Sequence, residues 1–258
     1  MVVFIMEKLI EYLKRVDYAV NHDGKVNSDE KPDFFLVCPC CGTQEGLPLF
    51  FDNGISVKFG NVDGAQGEFH YPFHKPKTSG FDDYYKLVNS LQKTPTNYMI
   101  EAKYLYLGRG KPTPYELAYD HNKTNLFMLS PCWGLVSADF KLPRYNFEFR
   151  VRQRLSRLGD HYRYINQKGK DNCPAWAGKG FNHLDSEAKK NPQKPIVILG
   201  GANYIYRFYG IYSDCKWVNP VYAIVGESNI ANEISAPTWK FIKVQGNQNW
   251  HYQYMKRI

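Results

Sequence analysis

The segment NYMIEAKYLYLG, residues 97–108, sets a carboxylate and an ammonium, Glu101 and Lys103, two positions apart inside an apolar run. Read as a buried strand, it presents both side chains on one face, because successive strand residues point to opposite sides. A carboxylate so placed can hold a divalent metal while the lysine orients or activates a water for attack on phosphorus, the metal offsetting charge in the transition state. Such chemistry needs a second carboxylate from nearby backbone. The bland alternative is an exposed ion pair that contributes little.

The run Ile100-Glu101-Ala102-Lys103 resembles the acid-x-lysine motif of the PD-(D/E)xK nuclease superfamily, to which many restriction endonucleases belong; the likeness covers about a dozen residues. It implies a Mg2+-dependent phosphodiester hydrolase in which Glu101 and an acid upstream hold the metal and Lys103 serves the water. In that family the upstream acid sits on the neighbouring strand. Here no Pro-Asp pair precedes Glu101 at the usual distance, and the candidates are Asp63 and Glu68 in a hairpin-like segment and Asp82 and Asp83 at the start of a helical pattern.

A second cluster is Val37-Cys38-Pro39-Cys40-Cys41-Gly42, in which Cys38 and Cys41 have the C-x-x-C spacing of a zinc-binding turn. His70 and His74 have compatible ligand spacing, and Cys132 or Cys173 are further options. The expectation is a structural Zn2+ held by Cys38, Cys41, His70 and His74, with packing cysteines or an iron-sulfur centre as the alternatives. Free thiols in a chain of this size also point to a reducing cytoplasm rather than a secreted disulfide framework.

The stretch from 144 to 170 holds eight Lys/Arg against two acids, +6 of a formal net charge of +8. Phe147, Phe149, Val151 and Leu155 alternate with Glu148, Arg150, Arg152 and Arg154, which reads as a strand with an arginine rail on one face. Arginines two apart on a strand lie roughly 6.6 Å from each other, so Arg150, Arg152 and Arg154, with Arg157 and Arg163 beyond, can follow a phosphodiester backbone. A solvated sheet face is the competing reading. The sequence pI of about 9.0 agrees with a polyanionic partner.

His183-Leu184-Asp185 pairs a base with a carboxylate, but reads better as a cap opening the polar run SEAKKN. Tyr204, Tyr206, Phe208, Ile211 and Tyr212 around Arg207 read as an alternating aromatic strand, core first and a base-stacking surface second. No P-loop, Rossmann glycine fingerprint, nucleophile elbow or H-E-x-x-H is present, which removes the usual support for those chemistries.

The elements that must position these groups follow from periodicity. Residues 4–16 form an amphipathic helix, 81–93 a second helix, and 47–51 with 55–60 a hairpin around Asp52-Asn53-Gly54. Strands are expected at 97–108, 126–128, 147–155, 196–199, 204–212, 221–225, 239–244 and 250–255. With 16 % aromatics the 258-residue chain can bury a full core without disulfides. The first ten residues are too short an apolar run for a membrane span, and no signal peptide is evident.

Strands without intervening helices imply an α+β fold with a large, curved, mainly antiparallel sheet, an N-terminal helix, one further helix and a small cysteine-containing hairpin. A single domain, 1–258, is expected, with a zinc-hairpin subdomain at about 30–75. The expected function is that of a DNA-acting protein, a restriction-type endonuclease using Mg2+ on double-stranded DNA, without membrane contact and with a homodimer inherited from the resemblance. Two other classes stay open: a zinc-stabilised, non-catalytic nucleic-acid-binding module, and a metal-independent base-flipping or base-excising DNA enzyme.

Overall fold

Helix α1 (Val2–Asn21) forms where Leu9, Leu13 and Val16 recur at helical spacing, and with Tyr12 they lie in the core. It ends where Asp23 turns left-handed (φ 50°) and the Gly24 N–H returns 2.9 Å to the Ala19 carbonyl, the six-to-one bond that closes many helices. The computed structural model describes residues 2–27, 31–41, 99–108, 110–130, 134–143, 179–226, 230–245 and 249–258. The expected elements at 47–60, 81–93 and 147–155 lie outside these residues.

Four apolar runs, β1 (Phe35–Pro39), β3 (Leu126–Ser130), β6 (Ile196–Leu199) and β7 (Val221–Val225), are buried along their whole length. Continuous burial requires cover on both faces. With β4 (Gly134–Ser137) and β8 (Trp239–Lys243) they build one sheet of order β4-β3-β1-β6-β7-β8. One face carries Leu36, Cys38, Met128, Val197 and Tyr222 in a core shared with α1, α3 (Pro114–Asn122) and α6 (Trp250–Met255). The other carries Val37, Phe127, Ile198 and Ala223 in a core shared with α4 (Lys179–Lys190) and α5 (Ala202–Cys215).

The class is α+β, helices packed on a mixed sheet, as expected. The sense of pairing is not. In the large sheet β3, β1, β6, β7 and β8 run parallel to their neighbours and only β4 is antiparallel, against β3. Two expected strands are helices, and one of them, α5, joins β6 to β7. Residues 204–212 lie in α5, where the buried Ile205, Phe208, Ile211 and Tyr212 follow a 3.6-residue period that the alternating tyrosines obscure in the sequence. Residues 250–255 form α6. Helices between strands carry the chain back across a sheet face, and the next strand then pairs parallel.

Cys38 is likewise not in a hairpin; it lies in β1, a central strand with parallel neighbours on both sides. The expected strand at 97–108 divides into β2 (Met99–Glu101) and a single helical turn, α2 (Ala102–Leu105). β2 pairs antiparallel with β5 (Lys141–Pro143) in a separate two-stranded sheet. No helix among the described residues is long and apolar enough to cross a membrane.

α6 docks on α1, with the Tyr254 hydroxyl on the Asp17 carboxylate and the Tyr12 hydroxyl donating 3.0 Å to the Ile258 carbonyl. In α6 burial pushes His251 down to about 4, because the imidazolium is poorly solvated there. Between pH 6.5 and 4 the unfolded chain therefore binds a proton that the folded chain refuses, and stability falls as pH falls. A slope of up to about 1.4 kcal/mol per pH unit near pH 5 is expected from this one group. Chemical denaturation of wild type and His251→Gln across pH 4–7 checks it; equal slopes for the two proteins would remove His251 as the source.

Candidate active site

Lys103 does not share a strand with Glu101. β2 ends at Glu101, and Lys103 lies in the first turn of α2, yet the lysine Nζ sits 3.1 Å from Glu101 Oε2. It also lies 2.5 Å from Asp139 Oδ1 and 3.8 Å from the centre of the Tyr119 ring. Burial opposes the ammonium, but the hydrogen bonds it donates to Asp139, Glu101 and Tyr119 and the charge of Asp139 more than offset it, holding Lys103 above the usual lysine range. It stays protonated through neutral and moderately alkaline pH, so it can orient a water or balance charge but cannot act as a base.

Backbone pairing sets this geometry. The Ala102 N–H donates to the Phe140 carbonyl at 2.9 Å and the Lys103 N–H to the Ala138 carbonyl at 3.0 Å, while Glu101 pairs with Lys141. Asp139 occupies the turn between β4 and β5, closed by the Phe140 N–H on the Ser137 carbonyl at 3.0 Å. The carboxylates face solvent, with side chains 31 % and 49 % exposed for Glu101 and Asp139, against 8 % for Lys103.

Asp139 is the acid that sequence reasoning missed. Attention to the upstream side singled out Asp63, Glu68, Asp82 and Asp83, all outside the described residues, whereas Asp139 lies 36 residues downstream of Lys103. The only signal in the sequence was its place two residues before the short apolar run that pairs with β2. The cluster sits by the amino end of β3, as the Ala138 N–H donates to the Leu126 carbonyl at 3.0 Å.

The cysteines occupy the other end of the sheet. Cys38 is fully buried within β1, and burial pushes its thiol well above the usual range, which opposes the thiolate a metal needs. Cys40 and Cys41 follow the strand. The Cys40 Sγ lies 3.3 Å from the Tyr204 hydroxyl, which also donates to the Cys40 carbonyl at 3.2 Å, and the Cys41 Sγ accepts the Gly108 N–H at 3.3 Å. Tyr115, fully buried, donates to the Pro39 carbonyl at 2.8 Å. Burial, reinforced by neighbouring thiols, raises the phenols of Tyr115 and Tyr204 well above their ordinary values. Thus Cys38 and Cys41 are not two arms of one turn: the first is a core strand residue, the second lies at the strand's end. His70 and His74 lie outside the described residues, among which no group of three or more His, Cys, Asp or Glu is disposed to hold a metal.

The arginines Arg150, Arg152, Arg154, Arg157 and Arg163 also lie outside the described residues. His183 and Asp185 are within α4 rather than in a capping loop. Asp185 accepts the Trp217 indole N–H at 2.8 Å and Lys189 at 2.9 Å, a structural use of the carboxylate, while the His183 ring packs 5.8 Å from Phe127.

A comparison with family models finds no match, and comparisons with curated proteins and with solved structures find none either.

Proposed function

We propose that the chain is a nucleic-acid-acting enzyme, a restriction-type phosphodiesterase that uses a divalent metal at Glu101 and Asp139. One observation carries the reading: two carboxylates, one at the end of β2 and one in the turn that leads into its partner β5, both open to solvent, converge on a lysine two residues from the first of them. Mg2+ is commonly held by one or two carboxylates together with waters and substrate phosphates, which suits a two-acid site. When bound, the metal supplies Lewis-acid stabilisation of charge on phosphorus. Glu101 and Asp139 would hold it, and the Lys103 ammonium, held charged by the same acids, would orient the attacking water and balance the phosphate. The arginine rail contributes sequence-independent backbone affinity.

A second reading, a nucleic-acid-binding module without catalysis, is favoured by the same lysine, because its ammonium already balances both acids as a satisfied ion pair. Incubating the purified chain with supercoiled plasmid and short duplexes separates the two. Nicked or linear plasmid is expected with Mg2+ and intact plasmid in EDTA. Intact plasmid in Mg2+ and in Mn2+, with DNA bound, would assign the chain to the non-catalytic class.

A further inference from the structure

Tyr104 is a large ring left in solvent beside the acid cluster. It lies within the single turn of α2, between the buried Lys103 and Leu105, and is 48 % exposed. Its ring centre is 5.1 Å from the Lys103 Nζ, and among the described residues this is its only side-chain contact, the hydroxyl being bonded to nothing there. The fold gains little from it. A cation over an exposed ring contributes weakly, and Lys103 is already held by Glu101, Asp139 and the Tyr119 ring.

The contacts around Lys103 continue as an alternation of rings and ammonium groups. Lys103 Nζ lies 3.8 Å from the centre of the Tyr119 ring, and Lys123 Nζ lies 5.2 Å from the same ring, so Tyr104, Lys103, Tyr119 and Lys123 follow one another in contact. Lys141, exposed, stands directly across from Glu101 in the β2–β5 pair and therefore on the same face. A nucleic-acid strand alternates likewise, flat base with charged phosphate. Proteins that grip single strands combine cations along the backbone with aromatic rings on which the bases stack.

Two arguments favour a single strand over a duplex at this face. Within a duplex the faces of the bases are covered by their neighbours, so an exposed ring has nothing to stack on unless the stack is opened at a cost. The charges point the same way. Lys103, Lys123 and Lys141 are matched by Glu101, Asp139 and Asp120, so this face carries no excess of positive charge for the phosphate attraction that dominates duplex binding. We infer that the strand presented to Glu101 and Asp139 is single, with a base next to the reacting phosphate stacked on Tyr104. The inference rests on the phosphodiesterase reading above and narrows its substrate class.

The test sets a labelled single strand, as DNA and as RNA, against the DNA duplex of the same sequence, in Mg2+ for cleavage and in EDTA at fixed salt for binding. Wild type is expected to cleave a single strand at least tenfold faster than the duplex, and to bind it more tightly than a wholly abasic strand that keeps the phosphates. Tyr104→Leu and Tyr104→Gln each remove the ring and keep a helix-forming side chain. In both, affinity for the strand with bases is expected to fall by about tenfold, the scale of one base stacked on one ring, and the cleavage ratio to fall toward one, with melting temperature unchanged. Tyr104→Phe, which loses only the hydroxyl, is expected to keep both preferences. Equal cleavage of single strand and duplex by wild type overturns the inference and leaves the phosphodiesterase reading standing. An undiminished preference in the folded Leu and Gln variants overturns the role of Tyr104. If nothing is cut in Mg2+ or Mn2+, yet the strand with bases is preferred over the abasic one through Tyr104, the catalytic reading fails and the single-strand class stands. Absence of binding to every strand overturns both.

Discussion

Glu101→Gln and Asp139→Asn are each expected to reduce Mg2+-dependent cleavage by roughly 10²- to 10³-fold or more, the scale on which loss of one electrostatic contact to a transition state is felt. Both substitutions keep size and shape, and both acids are partly exposed, so the loss of one ion-pair partner of Lys103 is expected to cost only about 1 kcal/mol of stability. Nucleic-acid binding in EDTA should be nearly unchanged, since the metal site is distinct from backbone contact. Lys103→Met is expected to stop cleavage as well, while relieving the acids of a competing cation, so that Mg2+ binds more tightly in calorimetry. Tighter Mg2+ binding follows from freeing the two acids in either case; its coincidence with lost cleavage is what marks the cluster as catalytic rather than as a structural ion pair. Undiminished cleavage in either acid variant would remove the Glu101–Asp139 site, and with it the phosphodiesterase reading.

Replacing Arg150, Arg152 and Arg154 together by Gln is expected to weaken binding to all sequences alike. Each lost phosphate contact lowers the slope of log affinity against log salt by about 0.9 for duplex DNA or about 0.7 for a single strand, so three contacts should lower it by about 2.7 or about 2.1. The change falls on affinity and its salt dependence, not on sequence preference, because regularly spaced guanidinium groups suit a repeating backbone rather than base edges. Titrations of random-sequence duplex and single strand from 50 to 300 mM salt measure it. Wild-type affinity and slope in the triple variant would show that these arginines are merely solvated, and would withdraw the main support for a nucleic-acid partner.

The two predictions concern different parts of the sequence with different physics. Charge density is a property of composition and survives any uncertainty about fold, which is why the segment 144–170 points to a partner class and to nothing finer. The acid cluster depends on position to within an ångström or so.

Local periodicity by itself determined α1, where the 3.6-residue spacing of Leu9, Leu13 and Val16 has no competitor, and the apolar runs that became β3, β6, β7 and β8. It also singled out Glu101 with Lys103, which the structure brings together, and Cys38 with Cys41, which it places at different points of β1 and its end. It could not decide α5, because Tyr204, Tyr206 and Phe208 alternate as a strand would while Ile205, Phe208, Ile211 and Tyr212 bury as a helix does; only packing on the sheet selects between the two periods. Strand sense was written locally only in part: continuous apolar runs such as 196–199 and 221–225 mark strands covered on both faces, as parallel strands are, but which neighbour each one meets is not encoded there. Tertiary structure alone brought Asp139 to Lys103 through the pairing of β2 with β5, and brought Tyr204 to Cys40 across the pairing of β1 with β6. Both juxtapositions join residues far apart in sequence, and hydrogen-bond register between strands, which no single segment encodes, is what sets them side by side.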